Sequence, residues 1–154
     1  MVEFLALLQQ LPPVQALKSS FFAYPVVNAL HIVSIGTLWS SVLLMDLRIL
    51  GAFSELPYKP FTRLLRRVAL IAFCGAVLTG FSMFAIKATE YAAMPVFLAK
   101  MALILLAAAN FLLFLRLGGK DGKGEDSRKI RIPAVLSIFL WSGVVLAGRF
   151  IGFL

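Results

Sequence analysis

Only one histidine and one cysteine occur in the 154 residues of this chain. The lone thiol, Cys74, lies inside an apolar run and has no partner for an internal disulfide, so a disulfide-stapled scaffold is excluded. Such a thiol behaves as a small hydrophobe. A single imidazole, His31, leaves no second one for a bis-histidine haem within the chain. No His/Cys/Glu grouping has zinc or di-iron spacing, and no GxSxG, P-loop or Gly-rich dinucleotide motif is present. Catalytic signatures are therefore largely missing, and the balance tips against an enzyme. Charge is also scarce, at 14% of residues, against 61% apolar residues and a mean hydropathy of +0.95. A soluble domain of this length needs far more polar surface, so the solvent for most of these side chains is lipid.

The charge that is present is lopsided, with 15 Lys and Arg against 7 Asp and Glu. The basic residues gather at the ends of apolar runs and form no interleaved basic-aromatic face, which argues against nucleic acid and for membrane orientation. Four apolar runs, about 26–45, 68–86, 95–115 and 132–152, each have the roughly 20 residues a bilayer core requires. The reading is all-α: an integral membrane four-helix bundle forming one domain over 1–154, with a short N-terminal interfacial helix. That helix is the apolar segment 1–13, which lacks a signal-peptide start and cleavage site and is closed by Pro12 and Pro13.

The loops assign orientation. Arg48, Lys59, Arg63, Arg66 and Arg67 follow the first span, and Arg116, Lys120, Lys123, Arg128, Lys129 and Arg131 follow the third; only Lys18, Lys87, Lys100 and Arg149 remain for the other side. This places the first and third loops in the cytoplasm and both termini in the periplasm of a bacterial inner membrane. Small residues recur at Ala72, Ala76 and Gly80 on the second span and cluster at Gly143, Ala147 and Gly148 on the fourth, where close helix approach replaces the missing hydrophobic drive. These faces are also surfaces on which partners could dock, so a homo-oligomer or a subunit of a larger membrane complex is expected.

Two polar layers cross the apolar spans. In the outer one His31 lies roughly 8 Å below the interface, at 1.5 Å per residue, and Asn28, His31 and Ser34 form a drifting stripe at steps of three. Topology brings Lys100, Arg149, Glu90 and Tyr91 to the same depth, which predicts a polar pocket with Glu90 as counter-ion to Lys100 or Arg149. Snorkelling of the two cations to lipid phosphates is the plainer alternative. His31 is expected to face the bundle interior or a subunit interface, hydrogen-bonded with Asn28 and Ser34 at hand, because an imidazole turned to hydrocarbon leaves an N–H unsatisfied. The inner layer comprises Asp46, Arg48, Asn110 and Arg116: Asp46 reads as an interfacial anchor paired with a loop arginine, Asn110 as a hydrogen-bonding group between helices.

The stretches "YPVVNALHIVSIGTLWSSVLLMDLRILG", "LTGFSMFAIKATEYAAMPVFLAKMALILLAAANFLLFLR" and "VVLAGRFIG" resemble a family of small bacterial integral membrane proteins with four spans. The likeness rests on His31, Asp46-Leu47-Arg48, Glu90-Tyr91, Lys100, Asn110 and Gly148-Arg149 and covers most of the chain from Tyr24 onward. Members often carry a histidine where this chain has Leu115. That departure argues against a haem held by two histidines and against a proton relay crossing the whole bilayer. The resemblance implies a four-span fold and no particular activity. A non-enzymatic binding or accessory role is the favoured reading. The rivals are a haem- or quinone-linked redox protein, with haem b or copper held by His31 and Met83 or by a symmetry-related His31, and a small-solute or ion channel. Absence of Gly- or Pro-broken paired helices weakens the last.

Overall fold

The structure, a computed structural model, describes residues 2–117 and 127–153. Lys120 and Lys123, two of the loop cations used for orientation, lie outside the described residues. Seven helices and no strand are present among the described residues: α1 (Val2–Gln9), α2 (Pro12–Ser19), α3 (Ala23–Leu50), α4 (Tyr58–Ile86), α5 (Ala88–Ala93), α6 (Pro95–Leu117) and α7 (Ser127–Ile151). Four of them, α3, α4, α6 and α7, are long and apolar enough to cross a bilayer, and the protein is a multi-pass membrane protein.

The helices overrun the apolar runs that announce them. α4 begins ten residues before Val68, so Lys59, Arg63, Arg66 and Arg67 sit on its exposed N-terminal extension rather than in a loop. The chain has no reason to stop hydrogen-bonding where hydrocarbon ends, and Pro57 and Pro60 suit the start of a helix. The true loop after α3 is short. Gly51 adopts φ 112°, a left-handed turn closed by bonds from Gly51 N–H to the Arg48 carbonyl and from Ala52 N–H to the Leu47 carbonyl. The N-terminal segment also differs from expectation. Pro12 and Pro13 do not end one interfacial helix; they open a second, α2, because a proline at the first helical position gives up an N–H that would be unpaired anyway.

Backbone packing joins α3 to α4, α6 to α7, and α3 to α7, while α4 and α6 make no backbone approach within 8 Å. The bundle therefore has three closed seams and one open one. Aromatic side chains bridge the open seam at the end of the bundle that carries α5, called the outer end and the opposite one the inner: Phe84 of α4 stacks on Phe97 of α6 with centroids 5.2 Å apart, and Tyr91 of α5 stacks on Phe97 at 6.0 Å. Deeper, Phe73 of α4 meets Trp141 of α7 edge-on at 6.4 Å.

Both long seams follow heptad-like stripes. Along α3, His31, Ser34, Leu38 and Val42 meet Gly80, Gly75, Ala72 and Ala69 of the antiparallel α4. Along α6, Lys100 lies on Gly148 and Leu103 on Gly143 of α7, and Asn110 bonds the Pro133 carbonyl. Large side chains such as Ile32, Leu78, Leu105 and Phe139 point outward instead. Small inside and large outside is the arrangement that lipid favours, since helix association there depends on close approach. The small residues of α4 and α7 are thus used within the chain, which leaves the expected oligomer without that support.

Candidate functional site

His31 projects from α3 toward α4, where Gly80 removes the Cβ that would otherwise stand 2.8 Å from its Cε1. Its Nδ1 lies 2.9 Å from Thr79 Oγ1. The Thr79 hydroxyl donates its single proton to the Gly75 carbonyl at 2.6 Å. A hydroxyl whose proton is committed offers only lone pairs, so Nδ1 must be the donor in this contact. The neutral ring then carries its lone pair on Nε2. Thr79 is the residue that sequence reasoning missed; the partners expected were Asn28 and Ser34 on the same helix. Ser34 instead lies against Gly75, whose missing Cβ would stand 2.7 Å from its Oγ, and Asn28 is half-buried one turn further out.

Lys100 approaches from the opposite side of the bundle. Its amine lies over α7 at Gly148, 3.4 Å from where a Cβ would stand, in the same half of the bundle as His31. Two bonding groups of opposite need therefore share the outer half: an imidazole lone pair and an ammonium donor. Met83, the second ligand of the haem or copper reading, sits half-buried one turn beyond Thr79 on α4.

The remaining outer residues are not drawn in. Glu90 forms an exposed ion pair with Lys87 at 2.9 Å, which holds the Lys87 ammonium above its ordinary pKa, so the counter-ion role expected toward Lys100 or Arg149 goes to a local neighbour instead. This is the only ion pair among the described residues. Its partners are three residues apart on one helical turn, so proximity is almost free. Tyr91 belongs to the aromatic bridge, where burial pushes its phenol up. Arg149 is exposed, its guanidinium 4.4 Å from the centre of the Phe153 ring.

In the inner half Asp46 is 4% exposed and pairs with no arginine among the described residues. Arg48 turns away to the carbonyls of Ser54 and Leu56, at 3.4 and 2.9 Å, and lies over the Tyr58 ring. The anchor pairing expected for Asp46 is therefore replaced by burial. Asn110 donates from Nδ2 to the Pro133 carbonyl at 2.9 Å across the α6–α7 seam. Arg116 is exposed at the inner end of α6.

The sequence pattern of DUF6644, a family of unknown function, matches residues 19–154. The chain belongs to this family. No curated protein and no solved structure matches it. All four spans and both polar layers fall inside the DUF6644 match, and α1 and nearly all of α2 lie ahead of it. Gln9 of α1 nevertheless reaches the outer end, where its side-chain oxygen accepts from the N–H groups of Ala88 and Thr89 and so caps α5.

Proposed function

We propose that this DUF6644 member is a bacterial inner-membrane protein that binds, and does not transform, an amphipathic ligand at the outer polar site. The single observation that carries the reading is the Gly75–Thr79–His31 chain of hydrogen bonds, which holds the ring through Nδ1 and leaves its lone pair on Nε2, without a hydrogen-bond partner among the described residues. With Lys100 opposite, the site suits a headgroup that gives a hydroxyl to Nε2 and an anionic or carbonyl oxygen to the ammonium. The α4–α6 seam, open at backbone level below its aromatic bridge, gives an apolar tail a way in from the bilayer. Protein purified in mild detergent is expected to retain such an amphiphile, identified by mass spectrometry of the extract, and to lose it in His31→Ala and in Lys100→Met. Wild-type protein that retains none after gentle extraction overturns the reading.

A redox reading is favoured by the same hydrogen bond, because a histidine held through one nitrogen by a second group is how proteins prepare the other nitrogen for a metal. Haem held by His31 and Met83 would show a Soret band that His31→Ala abolishes; a colourless wild type excludes it.

The termini are placed in the periplasm, a reading supported by Arg63, Arg66 and Arg67 on the exposed inner end of α4. In a Cys74→Ser background, Arg63→Cys is expected to resist an impermeant maleimide until the inner membrane is opened. Labelling in cells permeabilised only at the outer membrane reverses the orientation.

A further inference from the structure

Two buried oxygens in the inner half of the bundle have no partner among the described residues: Asp46 Oδ2, on a residue 4% exposed, and Asn110 Oδ1, on a residue 6% exposed. They come from different helices to one stripe of α7. Ser137 of α7 lies near the Asp46 carboxyl, where α3 packs on α7, and Asn110 of α6 donates to the carbonyl of Pro133, one turn away on α7. Residues four apart on a helix are neighbours at about 5–6 Å, so the two orphan oxygens approach α7 within about one turn of each other.

Nothing charged answers them. Arg48 turns Nη2 to two loop carbonyls and leaves its buried Nε without a partner, yet forms no ion pair with Asp46; the only ion pair among the described residues is at the outer end, and Arg116 is exposed. From α4, the buried hydroxyl of Thr62 is committed to the Tyr58 carbonyl of its own helix. The arginines at the inner ends of the helices packed around it, Arg63, Arg66 and Arg67 of α4, Arg116 of α6 and Arg131 of α7, are exposed. A bare carboxylate at this depth is far costlier than one lost hydrogen bond. A second unfilled acceptor beside it does not help.

A metal cation in the layer answers both deficits, and a proton answers the larger one. Carboxylate, amide oxygen and serine hydroxyl are hard donors, the set preferred by hard cations over transition metals. One negative charge balances one positive charge. We propose that Asp46, Asn110 and Ser137 form a binding site for a small monovalent cation, sodium or a proton, in the inner half of the bundle. The two sources make different demands. Sodium draws on both orphan oxygens, whereas a proton resides on Asp46 and leaves the Asn110 oxygen out.

The test is thermal unfolding of the full-length protein in detergent, with sodium chloride exchanged for N-methylglucamine chloride at fixed ionic strength, over a pH series. A cation that binds only the folded state raises the midpoint by a few degrees once it exceeds its dissociation constant about tenfold. Sodium occupancy is shown by a sodium-dependent rise lost in both Asp46→Asn and Asn110→Leu. Proton occupancy is shown by a rise on acidification alone, lost in Asp46→Asn and kept in Asn110→Leu. The infrared spectrum then carries a carboxylic-acid carbonyl band that shifts on labelling with 13C-aspartate, a readout that needs no variant. A wild-type midpoint indifferent to sodium and to pH, with no such band, overturns the proposal. So does a response that survives Asp46→Asn.

Discussion

Gly80→Ala is expected to unseat the only imidazole in the chain. The added methyl carbon would stand 2.8 Å from His31 Cε1, closer than carbon atoms pack. The ring cannot step aside freely, because Nδ1 is tied to Thr79 Oγ1 at 2.9 Å and Thr79 is tied in turn to the Gly75 carbonyl. Overpacking of this kind costs about 1–3 kcal/mol, and the gain in helix propensity from glycine to alanine, about 1 kcal/mol, offsets part of it. The net loss of stability is therefore modest, while the loss at the site is close to complete. Histidine labelled with 15N reports it directly, since the protein has one such residue. Wild type is expected to show a protonated Nδ1 and a bare Nε2; Gly80→Ala is expected to lose that fixed pattern and to retain as little amphiphile as His31→Ala. Gly36→Ala is the control, because a Cβ at Gly36 meets nothing within 4 Å. An unchanged imidazole spectrum in Gly80→Ala would show that α3 and α4 do not pack in this register.

The same seam shows what was legible in the sequence. The spans were legible because apolar runs of bilayer length have few other uses, and the packing face of α4 because Ala72, Ala76 and Gly80 recur every four residues. Thr79 was hidden by its place one residue before Gly80, since one residue turns a helix by 100° and the series reads as a stripe of small side chains alone. The hydrogen-bond partner of His31 had to come from across the seam, and seam register follows from shape rather than from composition. Glu90 was misassigned for the opposite reason. Depth arguments set it beside Lys100 and Arg149, but Lys87 lies one turn away on the same stretch of chain and captures it. Asp46 was read from its neighbours in sequence, a cluster of arginines, whereas the helix continues past it to Leu50 and turns Arg48 toward the loop. Helix ends went wrong at Pro12 and before Val68, because hydropathy marks where lipid begins and carries no information about where backbone hydrogen bonding stops.

Ala107→Leu is expected to be the most destabilising of the changes considered, and Leu105→Ala nearly silent, although a Leu→Ala truncation in a water-soluble core costs about 2–5 kcal/mol. Ala107 is 2% exposed and Leu105 is 69% exposed, two positions apart on α6. Ala107 stands between Leu103 and Asn110 on the stripe that meets α7, one contact ending at Gly143 and the other at the Pro133 carbonyl. Three further carbons there push the helices apart, at about 1–3 kcal/mol for overpacking. The Asn110 bond is strained at the same time, worth about 1 kcal/mol in membrane helices. Leu105 faces lipid, where its removal exchanges contacts with acyl chains for other contacts with acyl chains, and no hydrophobic penalty arises. Unfolding by sodium dodecyl sulfate in mixed micelles compares the two: the transition of Ala107→Leu is expected well below that of wild type, and that of Leu105→Ala beside it. The reverse order would mean that α6 presents its other flank to α7, and would dissolve the stripe that carries both Lys100 and Asn110.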